Sequence, residues 1–187
     1  EHLTGTAFDD SLYGNSANNI IKGLAGDDEI EGAGGQDNLQ GGDDTDTIFS
    51  ARDNNITLED NQLLINGLKE DDLSSFELGY LIGGDSDNQI IATNFSGSVV
   101  LDGGAGDDIL KGSVNDDQLS GGAGVDDIDG NVGDDILFES SDSDFTLLDG
   151  SLVIGSDGAD TFSNIVDVTL VGGEGNNSID ASAYTQG

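Results

Sequence analysis

A nine-residue spacing constrains this chain more than any other feature. Gly5, Gly14, Gly23, Gly32 and Gly41 each open a nonapeptide whose sixth place holds Asp10, Asn19, Asp28, Asp37 or Asp46. The eighth place is aliphatic in every copy: Leu12, Ile21, Ile30, Leu39 and Ile48. A second run opens at Gly103, Gly112, Gly121 and Gly130. It has Asp108, Asp117, Asp126 and Asp135 in sixth place and Leu110, Leu119, Ile128 and Leu137 in eighth. Six glycine-rich residues make a turn, and three extended residues make a very short strand with one side chain on one face and its neighbours on the other. The eighth residue therefore points inward. Successive turn–strand units predict an all-β solenoid with two short parallel sheets and one coil per two nonapeptides. Ile21 stacks under Leu39 in that winding, and Leu12 under Ile30 and Ile48.

The same winding stacks turn on turn, so sixth-place residues one coil apart meet on one edge. Asp10, Asp28 and Asp46 form one expected ladder, with Asn19 and Asp37 opposite. In the second run the pairs are Asp108 with Asp126 and Asp117 with Asp135. Asn55 and Asp144 lie in register just past each run, which adds Asp126 with Asp144 as a further pair. Paired carboxylates beside glycine-rich turns present hard oxygen donors only. That chemistry suits calcium, with 6–8 oxygens at ~2.3–2.6 Å, over zinc or copper, which want His or Cys. Asp10, Asn19, Asp28, Asp37, Asp46, Asp108, Asp117, Asp126, Asp135 and Asp144 are the metal candidates, for about six ions. The fifth-place Asp9, Asp27, Asp107, Asp116 and Asp134 read as solvated surface.

Between the runs the period lapses. Residues 50–82 instead hold β-type stretches, Ile56–Leu58, Leu63–Ile65 and Phe76–Ile82, separated by polar turns. A longer period absorbs them. Shifting the sequence by 89 residues aligns Gly14–Ser98 with Gly103–Gly187 without a gap, with 26 of 85 positions identical. The chain therefore divides into a tail of a preceding repeat (1–13), unit A (14–102) and unit B (103–187). Each unit has a nonapeptide block, 14–49 or 103–138, followed by a β-rich segment, 50–102 or 139–187. The opening at Glu1 rather than Met reads as a fragment of a longer array.

Composition sharpens the functional reading. Acidic residues outnumber Lys plus Arg by 39 to 4, giving a net charge of −35. Such a charge opposes compaction, so the metal-free chain is expected to be expanded, with metal binding and folding one event. About six ions at +2 each would bring the charge to about −23. Polyanionic partners, nucleic acid and anionic membranes, are disfavoured, and no apolar run approaches the ~20 residues of a membrane span. With no cysteine and a single terminal His2, Ser–His and Cys–His catalysis have no means. Acidic pairs recurring at every coil are the mark of a metal ladder and not of one active site. The chain is read as no enzyme. Lys22 and Lys111, aligned across the units, are expected to pair with nearby carboxylates, and Tyr80 and Tyr184 to pack on the sheet.

The Gly23–Gly41 stretch, GLAGDDEIEGAGGQDNLQG, resembles the glycine- and aspartate-rich nonapeptide of the RTX (hemolysin-type) calcium-binding family. The resemblance implies a right-handed parallel β-roll, with calcium held between turns by the sixth-place residue and main-chain carbonyls, in a protein secreted by the type I route. Asn19 departs from the family's aspartate, which implies a weaker site there. Three functions fit. One is a calcium-binding structural module folding outside the cell. Another is a repeat of an adhesin or self-assembling surface array, with neighbouring repeats or cell-surface glycans as partners. The least favoured is a glycan- or ice-binding solenoid face, because places two to five vary too much for a regular binding row.

Overall fold

A computed structural model describes residues 1–185 of the chain, and among them every regular element is a β-strand. The first block runs as β1 (His2–Thr4), β2 (Ser11–Tyr13), β3 (Ile20–Ala25), β4 (Glu29–Glu31), β5 (Asn38–Asp43) and β6 (Thr47–Ala51). Odd strands pair in parallel in one sheet and even strands in a second, each in a register of one coil: Ile21 faces Leu39, Leu12 faces Ile30, and Ile30 faces Ile48. The eighth-place aliphatics from Ile21 onward are buried between the sheets, and Leu12 packs against them from the end coil. The parallel β-roll is a direct consequence of the spacing.

The segment after the first block is a three-stranded meander. It comprises β7 (Ile56–Glu59), β8 (Gln62–Ile65) and β9 (Leu68–Ser74), and is followed by β10 (Leu78–Gly84), β11 (Gln89–Asn94) and β12 (Ser98–Ala105). Strand β7 is antiparallel to β8, and β8 to β9. The turn between β8 and β9 is Asn66-Gly67, with φ of 53° and 73°. Two successive left-handed residues are what a tight type I′ hairpin needs, and Asn-Gly supplies them.

The meander runs backwards. The first sheet has the order β5-β9-β8-β7-β11, so β7 leaps ahead to the edge that β11 will take, and β9 returns to pair with β5. Asn38 therefore faces Asp72, and Ile90 faces Ile56. The second sheet adds only β10, which pairs with β6 and β12. Leu58, Leu63, Leu73 and Phe76 bury the meander against the same core.

The second block and its sequel repeat this order. The strands are β13 (Ile109–Lys111), β14 (Gln118–Ala123), β15 (Asp127–Asp129), β16 (Ile136–Ser141), β17 (Phe145–Leu148), β18 (Ser151–Ile154), β19 (Ala159–Ser163), β20 (Asp167–Gly172) and β21 (Ile179–Ala183). Strands β17, β18 and β19 form the second meander, again with β19 back against β15 and β17 forward against β21. Among the described residues the result is a 13-stranded sheet facing an 8-stranded one.

Candidate metal centre

The sixth-place side chains stand at the entry of each strand, where the turn delivers them inward beside the neighbouring turn. Their first carboxylate oxygen ties coil to coil. The N–H of Asp10 donates to Asp28 Oδ1 (2.8 Å), and that of Asp28 to Asp46 Oδ1 (3.0 Å). On the opposite edge Asn19 N–H donates to Asp37 Oδ1 (2.7 Å). In the second block Asp108 N–H donates to Asp126 (2.8 Å) and Asp117 N–H to Asp135 (2.9 Å). Both expected ladders are present as stacked, hydrogen-bonded columns.

The second carboxylate oxygen has two fates, set by the backbone of the repeat's second residue. At Thr6, Asn15 and Ser113, and at Gly84 in a degenerate nonapeptide opened by Gly83, the second-place N–H turns in and donates to the sixth-place oxygen of Asp10, Asn19, Asp117 and Asn88 respectively, at 2.6–2.8 Å. None of these four residues has a positive φ. At Leu24, Ala33, Gly42, Gly104, Gly122 and Asn131 the second residue is left-handed, with φ from 65° to 143°. The matching carboxylates, Asp28, Asp37, Asp46, Asp108, Asp126 and Asp135, each keep a buried Oδ2 with no hydrogen-bond partner. Closed turns cap their carboxylate; open turns leave it bare.

Each bare oxygen faces the first glycine of its own repeat, mostly together with a main-chain carbonyl. A methyl carbon built on Gly23 would collide with Asp28 Oδ2 and lie 2.6 Å from the Gly41 carbonyl oxygen. On Gly103 it would collide with Asp108 Oδ2 and lie 2.6 Å from the Gly121 carbonyl oxygen. Glycine is required here because a side chain would fill the space between the two oxygens. Among the described residues no three acidic or imidazole side chains cluster on one point. The donor set is one or two side-chain oxygens plus carbonyls.

Burial shows in the acidity of several sixth-place carboxyls. Desolvation pushes the Asp46, Asp108 and Asp135 carboxyls up to about 6, with the carboxylates of adjacent coils adding to the push. Asp117 and Asp126 are raised as well, chiefly by burial. A buried carboxylate with a free lone pair and no cation beside it is costly unless a positive charge joins it. The oxygen-only donors and glycine cradles fit calcium, and the chain has no Cys and only His2 to offer a softer metal.

Some expectations are corrected. Asp126 does not stack on Asp144, because the returning strand β19 takes the place beside β15. Asp126 N–H donates instead to Asp160 Oδ1 (3.0 Å), while Asp144 lies beyond β18 and accepts Ser178 N–H (2.7 Å). Asn55 is displaced in the same way and accepts Gln89 N–H. Lys22 and Lys111 make no ion pair among the described residues; the pairs present are Arg52–Glu70 and Lys69–Asp72. The fifth-place aspartates are exposed, yet form a second ladder: Asp27 N–H donates to Asp9 (3.0 Å) and Asp134 N–H to Asp116 (2.8 Å). Tyr80 packs edge-on against Phe49 of the neighbouring strand, with ring centroids 5.5 Å apart.

Besides Glu139, two buried aspartates lie outside the nine-residue spacing, Asp71 and Asp160. Asp71 accepts Asp37 N–H (3.1 Å) just as Asp160 accepts that of Asp126. Their signal was their identity across the 89-residue shift, together with the Asn66-Gly67 turn that marks a hairpin returning the chain to β5.

Comparison with known proteins agrees with this geometry. The model of the RTX calcium-binding nonapeptide repeat matches four times, over residues 4–39, 23–56, 96–137 and 169–183. The last match covers most of β20, the turn after it and β21, inside the second β-rich segment. No curated protein matches the chain. Among solved structures, extracellular lipase LipA from Serratia marcescens is similar at 18% identity and a TM-score of 0.36, over 100% of this chain and 39% of that one. The chain thus spans well under half the length of that lipase. With family matches over more than half of its residues and the nonapeptide turns stacked as described, the chain belongs to the RTX calcium-binding nonapeptide repeat family.

Proposed function

We propose that the chain is a calcium-binding structural module of a secreted protein, expanded where calcium is scarce and folding on calcium outside the cell. The observation that supports this most is the set of buried Oδ2 atoms without partners on Asp28, Asp37, Asp46, Asp108, Asp126 and Asp135. A chain of charge −35 has no reason to bury bare carboxylates unless a cation joins them. These six are the primary ligands in this reading, in keeping with about six ions. Asp10, Asn19 and Asp117 contribute after their closed turns open, and Asp144 plays no part. Secretion, by the type I route typical of the family, would deliver the chain to millimolar calcium.

The repeated backward meander favours a second, compatible reading, in which residues 14–102 and 103–187 are units of an extracellular array or adhesin. The number of units in the full-length protein separates the two. The decisive test of the first is far-UV circular dichroism with calorimetry during a calcium titration of chelated protein. Gain of β signal with calcium, and its loss with EDTA, is expected; a chelated chain that is already fully β refutes the reading.

A further inference from the structure

Asp71 lies outside every nonapeptide, yet it is fully buried and its Oδ2 has no hydrogen-bond partner. It is aimed at an open turn. The point where a methyl carbon on Gly32 would sit collides with Asp37 Oδ2 and lies 3.2 Å from Asp71 Oδ2. At Gly5, Gly14, Gly23, Gly103 and Gly112 the corresponding point is shared by a sixth-place side-chain oxygen and a glycine carbonyl one coil on. At Gly32 a second carboxylate takes the place of that carbonyl. Asp37 itself is buried, and its Oδ2 is equally bare.

No cation of the chain reaches this pair among the described residues. Arg52 is engaged by Glu70 and Lys69 by Asp72, while Lys22 and Lys111 make no ion pair. Two adjacent buried carboxylates without a counter-charge are among the costliest arrangements a protein interior can hold. Two hard anionic oxygens converging on one glycine-lined space are also what a divalent hard cation requires.

We propose that Asp37 and Asp71 together hold a calcium ion between the Gly32 turn of the first block and strand β9. The metal ladder then continues through a segment that contains no nonapeptide, and the ion fastens the returning end of the meander to β5. In the second unit Asp160 takes the matching register place, accepting Asp126 N–H at 3.0 Å. The proposal rests on the calcium reading above and adds to it a ligand from outside the nonapeptides, Asp71, at the site of Asp37.

The test is an ion count by native mass spectrometry of the whole chain in calcium, with circular dichroism to report the fold. The variants are Asp71→Asn, Asp160→Asn, and Asp72→Asn as an exposed control. Asp71→Asn keeps an acceptor for Asp37 N–H but removes the charge. It is expected to stay folded and bind one ion fewer, Asp160→Asn likewise, and Asp72→Asn the full number. An undiminished count in Asp71→Asn overturns the proposal while leaving the module reading intact; a wild-type chain that binds no calcium defeats that reading itself. Should Asp71→Asn be unfolded in millimolar calcium, raising the calcium decides. Refolding at higher concentration marks a weakened ligand and supports the site, whereas a chain that no calcium concentration refolds has lost only a structural acceptor and overturns it.

Discussion

A single backbone angle separates the two kinds of turn. Leu24 and Ala33 hold φ of 97° and 65°, where a side chain is strained, and both belong to turns with a bare carboxylate. Strain of this sort persists where it serves a site, at a cost on the order of 1–2 kcal/mol per residue. Leu24→Gly should therefore stabilise the calcium-loaded chain by ~1 kcal/mol, because glycine accepts the left-handed angle freely and Leu24 is half exposed. A calorimetric melt in calcium checks the sign, and a lower Tm contradicts it. Ser113 presents the converse case. Its N–H and Oγ both hold the Asp117 carboxylate, at 2.6 and 2.9 Å. Ser113→Gly removes the hydroxyl that holds Asp117 and lowers the cost of the left-handed turn, so the variant should load its Asp117 site at a lower calcium concentration than the wild type. Equilibrium dialysis across a calcium series measures this, and an unchanged binding curve counts against the two-state view of the turn.

At the scale of elements, the meander is where packing overrides the winding rule. A three-residue strand can bury only one side chain, but β7, β8 and β9 are longer and bury Ile56, Leu58, Leu63 and Leu73. Leu63 sits in the middle strand at 1% exposure, held between two antiparallel neighbours. Leu63→Ala should cost about 2–5 kcal/mol, the usual range for a large-to-small change in a close-packed core. Because β9 also carries Asp71, the loss should appear in hydrogen exchange both within 56–74 and at the Asp37 amide. Protection lost at Leu63 alone, with the Asp37 amide unaffected, would show that meander and ladder are not coupled. The meander strands were legible only in part. Ile56–Leu58 and Leu63–Ile65 read as β from composition, but Leu68–Ser74 (LKEDDLS) has too few apolar residues to announce a strand. Pairing with β5 and β8 makes it one.

For the whole molecule, the governing quantity is charge against burial. The core is a narrow column of apolar side chains, and the chain carries 39 acidic groups against 4 basic ones. Calcium acts on the balance where it is worst, at the stacked turns. Scattering should therefore report a large change of size. The chelated chain is expected near the ~46 Å radius of gyration of an unfolded chain of this length, and the calcium-loaded chain at roughly half that or less, allowing for an elongated solenoid. A radius that does not move with calcium would place the folding energy elsewhere.

The spacing by itself determined the coil, the inward eighth residue and the stacking of the sixth-place columns. Those depend only on local backbone geometry repeated in register, and a register of nine admits one winding. The tertiary structure alone decided the path of the chain beyond each block. Which strand lies beside β5 and β15 depends on a hairpin folding back over a distance that no local period encodes. That return path sets Asp71 and Asp160 in the ladder where Asn55 and Asp144 stood in the sequence register. It also decided which carboxylates are left bare, since the turn backbone, rather than the aspartate, sets whether an amide reaches them.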